Sequence, residues 1–294
     1  MSTGQAWLDG RLVPRGEAAI SIDDFAVRYG AACFETMVAQ SGRVFRLSRH
    51  LDRLEHGLGL MGVTPPARDL LQAAVDATMR ANELTEAAVR LTVTTGSGHA
   101  PDLATVGAPS TFVTADPLGA PPPPARLAVS SVCVDAERPW RAAKVAQFLP
   151  YLLARQEARL AGADDALLLN HRGEVVEAAT ANIFLLMDQA LVTPSLGCGP
   201  LPGVTREAVL EVARAEGIPV AEGEFGLEAL MGASAAFLTS SLGLRVVTAV
   251  TASAEVAPGT GAVDWAASAP DHPVMRRVER AYADLVRSEC LGTA

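Results

Sequence analysis

Lysine is nearly absent from this sequence. Of the 24 basic residues, 23 are arginine, and the one exception is Lys144. A guanidinium stays protonated and forms no Schiff base, whereas an amine can lose its proton and attack a carbonyl. Aromatic residues are also few, 5% against 49% hydrophobic, so the core is aliphatic and rich in alanine. The four cysteines (Cys33, Cys133, Cys198, Cys290) are far apart and form no CxxC pair. That excludes a zinc knuckle, leaves no metal site to propose, and points to reduced thiols in a cytosolic protein. No apolar run approaches membrane-spanning length, and the start, Met-Ser-Thr-Gly-Gln, has neither the basic nor the apolar region of a signal peptide. The expected location is cytoplasmic. Positive charge is in deficit, with a net charge of −9, which argues against a nucleic-acid surface. Any anionic ligand must then rely on local arginines or helix N-termini.

At 294 residues there is room for two modest domains. Residues 6–13 read as a hairpin turning at Asp9-Gly10, and a second hairpin turns at Ser41-Gly42. Ser48 is expected to cap a helix over 49–61, with another at 67–82 and strands at 88–95 and 111–115. This half is α+β, an antiparallel sheet with helices on one side. The run 115–125 contains four successive prolines, which favour a stiff extended connector. The predicted division is a small domain 1–115, a linker 116–125 and a larger domain 126–294. In the larger domain, strands are expected at 126–134, 166–170, 183–187, 190–193 and 235–239. Helices are expected after Lys144, over 206–216, and at 273–289 on the outside.

Lys144 lies just before an amphipathic helix whose apolar positions are Phe148, Leu149, Leu152, Leu153 and Leu160. An element boundary is where sites tend to be assembled. Glu177 ends a strand-like run before the small residues Ala178-Ala-Thr-Ala, where a carboxylate can approach a planar ligand. Val204 and Thr205, after Gly203 at a helix start, offer unpaired N–H groups suited to phosphate. Ser240 and Ser241, at a strand end, add two hydroxyls and two amides. Arg53, on the helix after the second hairpin, is a candidate charged clamp. Each of these has a bland counterpart (a solvated lysine, a turn acid, a structural cap, a surface arginine), and only their combination outweighs it.

The ordered motifs Phe34-Glu35-Thr36, His50-Leu-Asp-Arg53, Lys144-Val-Ala-Gln-Phe-Leu-Pro, Glu177-Ala-Ala-Thr-Ala-Asn182, Leu201-Pro-Gly-Val-Thr-Arg206 and Phe237-Leu-Thr-Ser-Ser241 resemble the class IV aminotransferases. These are the fold type IV pyridoxal phosphate enzymes, which include branched-chain and D-amino acid aminotransferases, (R)-amine transaminases and 4-amino-4-deoxychorismate lyase. The resemblance runs from about residue 6 to 250. It implies an α+β fold with a small N-terminal α/β sandwich domain and a larger C-terminal pseudo-barrel domain. It also implies a homodimer, the cofactor pyridoxal 5'-phosphate, and an internal aldimine on Lys144, which then serves as the general base. Glu177 would pair with the pyridine nitrogen, while Arg53, the amides of Val204 and Thr205, and Ser240 with Ser241 would hold the phosphate.

Some positions depart from common relatives. Gln147 and Phe148 stand where many members have Asn-Tyr, and Phe34-Glu35-Thr36 where branched-chain enzymes tend to have Phe-Glu-Gly. Both count against a standard branched-chain enzyme. After Thr95 there is no Arg-Gly carboxylate trap of the D-amino acid type, so Arg28, Arg90 and His99 remain the candidates for carboxylate contact, with Phe34 in the substrate pocket. For Arg90 a surface role is equally open. The expected activity is transfer of an amino group from an amino acid or amine to a 2-oxo acid. The alternative is 4-amino-4-deoxychorismate lyase, which releases pyruvate and 4-aminobenzoate.

Overall fold

The computed structural model describes residues 4–252, 262–266 and 272–291. Residues 1–3, part of the stretch read above for a signal peptide, lie outside the described residues. The chain divides into two compact units. The first runs to Gly119 and takes in Ala142–Phe148 and the chain's end from Val286; the second holds Ala120–Arg141 and Leu149–Leu285.

In the first unit, β1 (Gln5–Leu8) and β2 (Arg11–Pro14) form the expected hairpin, with Asp9 and Gly10 at φ of 46° and 96°. Such a turn matches the twist of the strands it joins. A short helix α1 (Phe25–Tyr29), capped by Asp24 and ended by Gly30 at φ 69°, precedes β3 (Ala32–Gln40). The turn Ser41-Gly42 leads into β4 (Arg43–Val44). With β5 (Ala87–Thr94) and β6 (Thr111–Pro117) these strands form an antiparallel six-stranded sheet, in the order β2-β1-β6-β5-β3-β4. Two helices, α2 (Leu47–Leu60) and α3 (Arg68–Ala81), bury Leu51, Leu54, Leu58, Leu71, Val75 and Met79 with Met37, Val89, Leu91 and Val93 of the sheet. Ser48 does not cap α2. The helix begins two residues earlier than expected, at Leu47, after Arg46 in the left-handed region with no side-chain cap.

The division differs from the predicted one in three places: the linker, the Lys144 segment and the chain's end from Val286, which falls in the first unit; strand pairing is the reason for the first two. β6 continues into the expected linker as far as Pro117, which pairs with Ala87. The Lys144 segment, expected in the larger domain, is laid along β3: Phe34 N–H donates to the Lys144 carbonyl (2.9 Å) and Ala146 N–H to the Ala32 carbonyl (2.8 Å). Cys33 and Val145 form the bridge between these bonds.

The second unit is a nine-stranded sheet in the order β12-β11-β10-β13-β14-β7-β8-β9, with β15 added to β14. Its strands are β7 (Ala125–Val134), β8 (Asp165–Asn170), β9 (Val175–Ala178), β10 (Asn182–Met187), β11 (Ala190–Pro194), β12 (Val220–Gly223), β13 (Ala235–Ser240), β14 (Gly243–Thr251) and β15 (Val263–Asp264). The sheet curls, so that β9 at its edge approaches β10, and Ala178 bridges to Ala181, the residue just before β10. Helices α4 (Leu149–Leu160), α5 (Val204–Ala215) and α6 (Glu228–Gly232) belong to this unit, and α7 (Pro273–Leu291) begins in it. The chain is thus α+β with a smaller antiparallel unit and a larger curled one.

One helix is inverted relative to expectation. The buried residues of α4 are Ala154 and Ala158, which lie close against Ala128, Ala166 and Leu168. Leu149, Leu152, Leu153 and Leu160 are instead between 47% and 84% exposed. Small side chains let a helix approach a sheet closely, so here alanine covers the core and the leucine stripe faces outward. Among the described residues, no helix is long and apolar enough to cross a membrane.

Candidate active site

The first unit holds Lys144, Phe34, Arg90, Arg53, Arg28 and His99. Backbone pairing to β3 fixes the Lys144 main chain, and its Nζ lies 4.7 Å from the Phe34 ring centroid. Arg90, on β5, places its guanidinium carbon 3.8 Å from the same centroid. Phe34 pairs with Thr92 and Thr36 with Arg90, so Phe34 and Arg90 share one face of the sheet. The Phe148 ring stands edge-on to Phe34, with centroids 6.3 Å apart. An amine and a guanidinium therefore share one aromatic ring, each favoured by its quadrupole. Arg28 Nη1 donates to the Gly98 carbonyl (3.0 Å), beside the exposed His99.

Arg53 is buried on α2 and bound side-on to Glu35 of β3: Nε donates to Oε1 (2.8 Å) and Nη2 to Oε2 (2.6 Å). His50 Nδ1 lies 2.7 Å from Oε2. Burial pushes the Glu35 carboxyl up, but the Arg53 charge and the bonds from Arg53 and His50 more than offset it and hold it below the ordinary value. The motifs contained Glu35 and His50, yet sequence reasoning gave neither a role.

The second unit holds Glu177, Val204, Thr205, Ser240 and Ser241. Glu177, on β9, is buried and accepts three hydrogen bonds: Arg141 Nη2 to Oε1 (2.6 Å), Leu201 N–H to Oε2 (2.9 Å) and Asn182 Nδ2 to Oε2 (3.3 Å). Asn182 also donates to the Leu201 carbonyl (2.9 Å). Its side chain fills the space that a Cβ on Gly203 would need, so glycine is required where α5 begins. Val204 and Thr205 are buried at the first turn of α5, where main-chain N–H groups have no helical partner. The Thr205 hydroxyl donates to the Ser240 carbonyl (2.8 Å), which ties that turn to the end of β13 beside Ser241. Arg141, Asn182 and the Leu201 amide were missed. The only signal for Arg141 was its place three residues before Lys144.

Residues 32–252 match the family model for amino-transferase class IV. A putative branched-chain-amino-acid aminotransferase of Methanocaldococcus jannaschii is 34% identical over 246 residues, covering 80% of this chain and 83% of the relative. A D-alanine aminotransferase of Listeria innocua is 28% identical, with 80% and 83% covered. Among solved structures, the branched-chain aminotransferase of Thermoproteus uzoniensis with norvaline superposes with a TM-score of 0.85 at 28% identity, over 99% of this chain and 98% of that one. The match begins at the strand that carries Phe34 and ends just past β14, and the chain belongs to the class IV aminotransferases.

Proposed function

We propose that this aminotransferase holds pyridoxal 5'-phosphate through Lys144, Glu177, Arg53, Val204, Thr205, Ser240 and Ser241, and moves the amino group of an amino acid to a 2-oxo acid. Its family is one of pyridoxal phosphate enzymes. The cofactor's contribution is an electron-poor ring that accepts charge from the substrate carbon. Lys144 Nζ takes and returns the substrate proton. Glu177 faces the ring nitrogen, and the first turn of α5 with Ser240 and Ser241 binds the phosphate.

The observation that carries this reading is the state of Glu177. A carboxylate offers about four lone-pair sites, and three are taken by Arg141, Asn182 and Leu201. The remaining one belongs to Oε1, an acceptor suited to a protonated ring nitrogen. The alternative, aminodeoxychorismate lyase, has less support, since both sequence relatives above are named aminotransferases.

Arg90 favours donors with a carboxylate, because its guanidinium and the Lys144 amine lie against one ring. The working form is a homodimer that buries the α4 leucine stripe. Leu149, Leu152, Leu153 and Leu160, at i, i+3, i+4 and i+11, follow one helical face. They expose roughly 200 Å² of apolar surface, taking ~80 Å² per leucine. A stable interface needs about 800 Å² per partner, about 65% of it apolar in homodimers, so this stripe supplies over a third of the apolar part.

The test uses the full-length protein loaded with pyridoxal phosphate. Borohydride reduction followed by peptide mapping should find the cofactor on Lys144. An amino acid with a 2-oxo acid should then exchange amino groups. Labelling elsewhere sinks the site, and pyruvate release without any acceptor selects the lyase.

A further inference from the structure

We propose that Arg141 is a positioning residue: it aims the Glu177 carboxylate so that the open Oε1 lone pair faces the ring nitrogen. The inference rests on the Glu177 role above and assigns a function to a residue outside the cofactor-binding set proposed there.

Arg141 lies in a 3-10 turn (Pro139–Ala142) and is fixed at three points. Nη2 donates to Glu177 Oε1 (2.6 Å), Nε donates to the Gly199 carbonyl (2.8 Å), and Nη1 meets the Tyr151 hydroxyl on α4. A guanidinium is planar, and three contacts in its plane leave it no freedom to follow a moving carboxylate. Glu177 is therefore held from both sides. Leu201 N–H and Asn182 fix Oε2, and Arg141 fixes Oε1 along one lone-pair direction.

Lone pairs on a carboxylate oxygen diverge in its plane. Occupying one of the Oε1 pair fixes where the other points. A correctly turned carboxylate is what a protonated ring nitrogen requires, and a misdirected one would leave that nitrogen without its partner. A purely structural Arg141 would only pin the 3-10 turn to the sheet, and this predicts a different outcome.

The experiment measures equilibrium binding of two ligands to the full-length apoprotein. One is pyridoxal phosphate, and the other is its analogue with carbon in place of the ring nitrogen. Their affinity ratio isolates the nitrogen contact, since both carry the same phosphate and aldehyde. Wild type should prefer the nitrogen-containing ligand. Arg141→Leu should lower that preference about ten-fold or more, the size expected for one charge-assisted bond. Glu177→Gln should lower it as far, the double variant no further, and Arg141→Lys should recover part. Ser241→Ala should weaken both ligands equally.

A folded Arg141→Leu protein that keeps the wild-type ratio overturns the proposal while leaving the Glu177 role intact. An unchanged ratio in Glu177→Gln removes the Glu177 reading, and the role of Arg141 with it. Should Arg141→Leu not fold, Tyr151→Phe takes its place by freeing one edge of the guanidinium. It should lower the ratio in the same direction, and an unchanged ratio there also overturns the proposal.

Discussion

Gly57 on α2 stands directly against Ala143, the residue before Lys144: a Cβ placed on Gly57 would lie 3.1 Å from the Ala143 Cβ and 2.6 Å from Cys33 Sγ. The helix and the lysine segment thus approach one another as closely as glycine allows. Gly57→Ala would gain about 1 kcal/mol of helix propensity. Overpacking of a filled site costs about 1–3 kcal/mol, and neither neighbour is the end of a long flexible chain. The variant should therefore lose stability on balance and displace the Lys144 backbone. Thermal unfolding and the yield of borohydride labelling at Lys144 should both fall. Full labelling with unchanged stability would show that the lysine segment is held by other contacts.

A second expectation concerns acid. Burial raises the Glu35 carboxyl, but Arg53 and His50 bring it below the ordinary glutamate value of 4.5. A depressed folded value means that the stabilisation is complete above the ordinary value and lost as pH falls through the folded one. At neutral pH, Glu35→Gln should cost about 3–5 kcal/mol, because it removes the carboxylate that faces the buried Arg53 charge. The gap between wild type and variant should hold steady down to that ordinary value and then narrow. Denaturant titrations at several pH values give this curve, and a gap that widens on acidification would contradict the assignment.

Much of this architecture was readable from local chemistry. Asp9-Gly10 and Ser41-Gly42 supply the positive φ that tight hairpins need, and both turns stand where expected. Gly203-Val204-Thr205 announced the start of α5. What was not legible depends on distant pairing. Nothing near Lys144 says that its backbone will lie along β3, more than a hundred residues earlier. Arg141 and Glu177 are 36 positions apart and become partners only when the 3-10 turn meets β9. The α4 pattern showed an apolar stripe, but periodicity cannot tell whether the chain's own core or another surface covers it.

That stripe gives a third prediction. Replacing Leu152 and Leu153, 54% and 47% exposed, with glutamate should have little effect on an isolated subunit, since exposed substitutions usually lie within about 0.5 kcal/mol. In a dimer seam the same charges would face their own copies and apolar neighbours. Sedimentation should show twice the chain mass for wild type and a single chain for the variant, with unchanged circular dichroism. A wild-type monomer, or a variant that dimerises as tightly, would exclude this face.

The last prediction separates donors with a carboxylate from those without. Arg90 lies on the Phe34 side of the first sheet, its guanidinium carbon 3.8 Å from the ring centroid. If that guanidinium binds a substrate carboxylate, Arg90→Ala removes a charge-assisted bond of about 1.5–3 kcal/mol, so kcat/KM for amino acids should fall about ten- to a hundred-fold. (R)-1-phenylethylamine has no carboxylate and should be a poor donor for wild type, with kcat/KM no lower in the variant. The contrast matters because simple loss of packing against Phe34 would lower both donors together. An equal loss for both would assign Arg90 to the support of the Phe34 ring and leave substrate recognition to other groups.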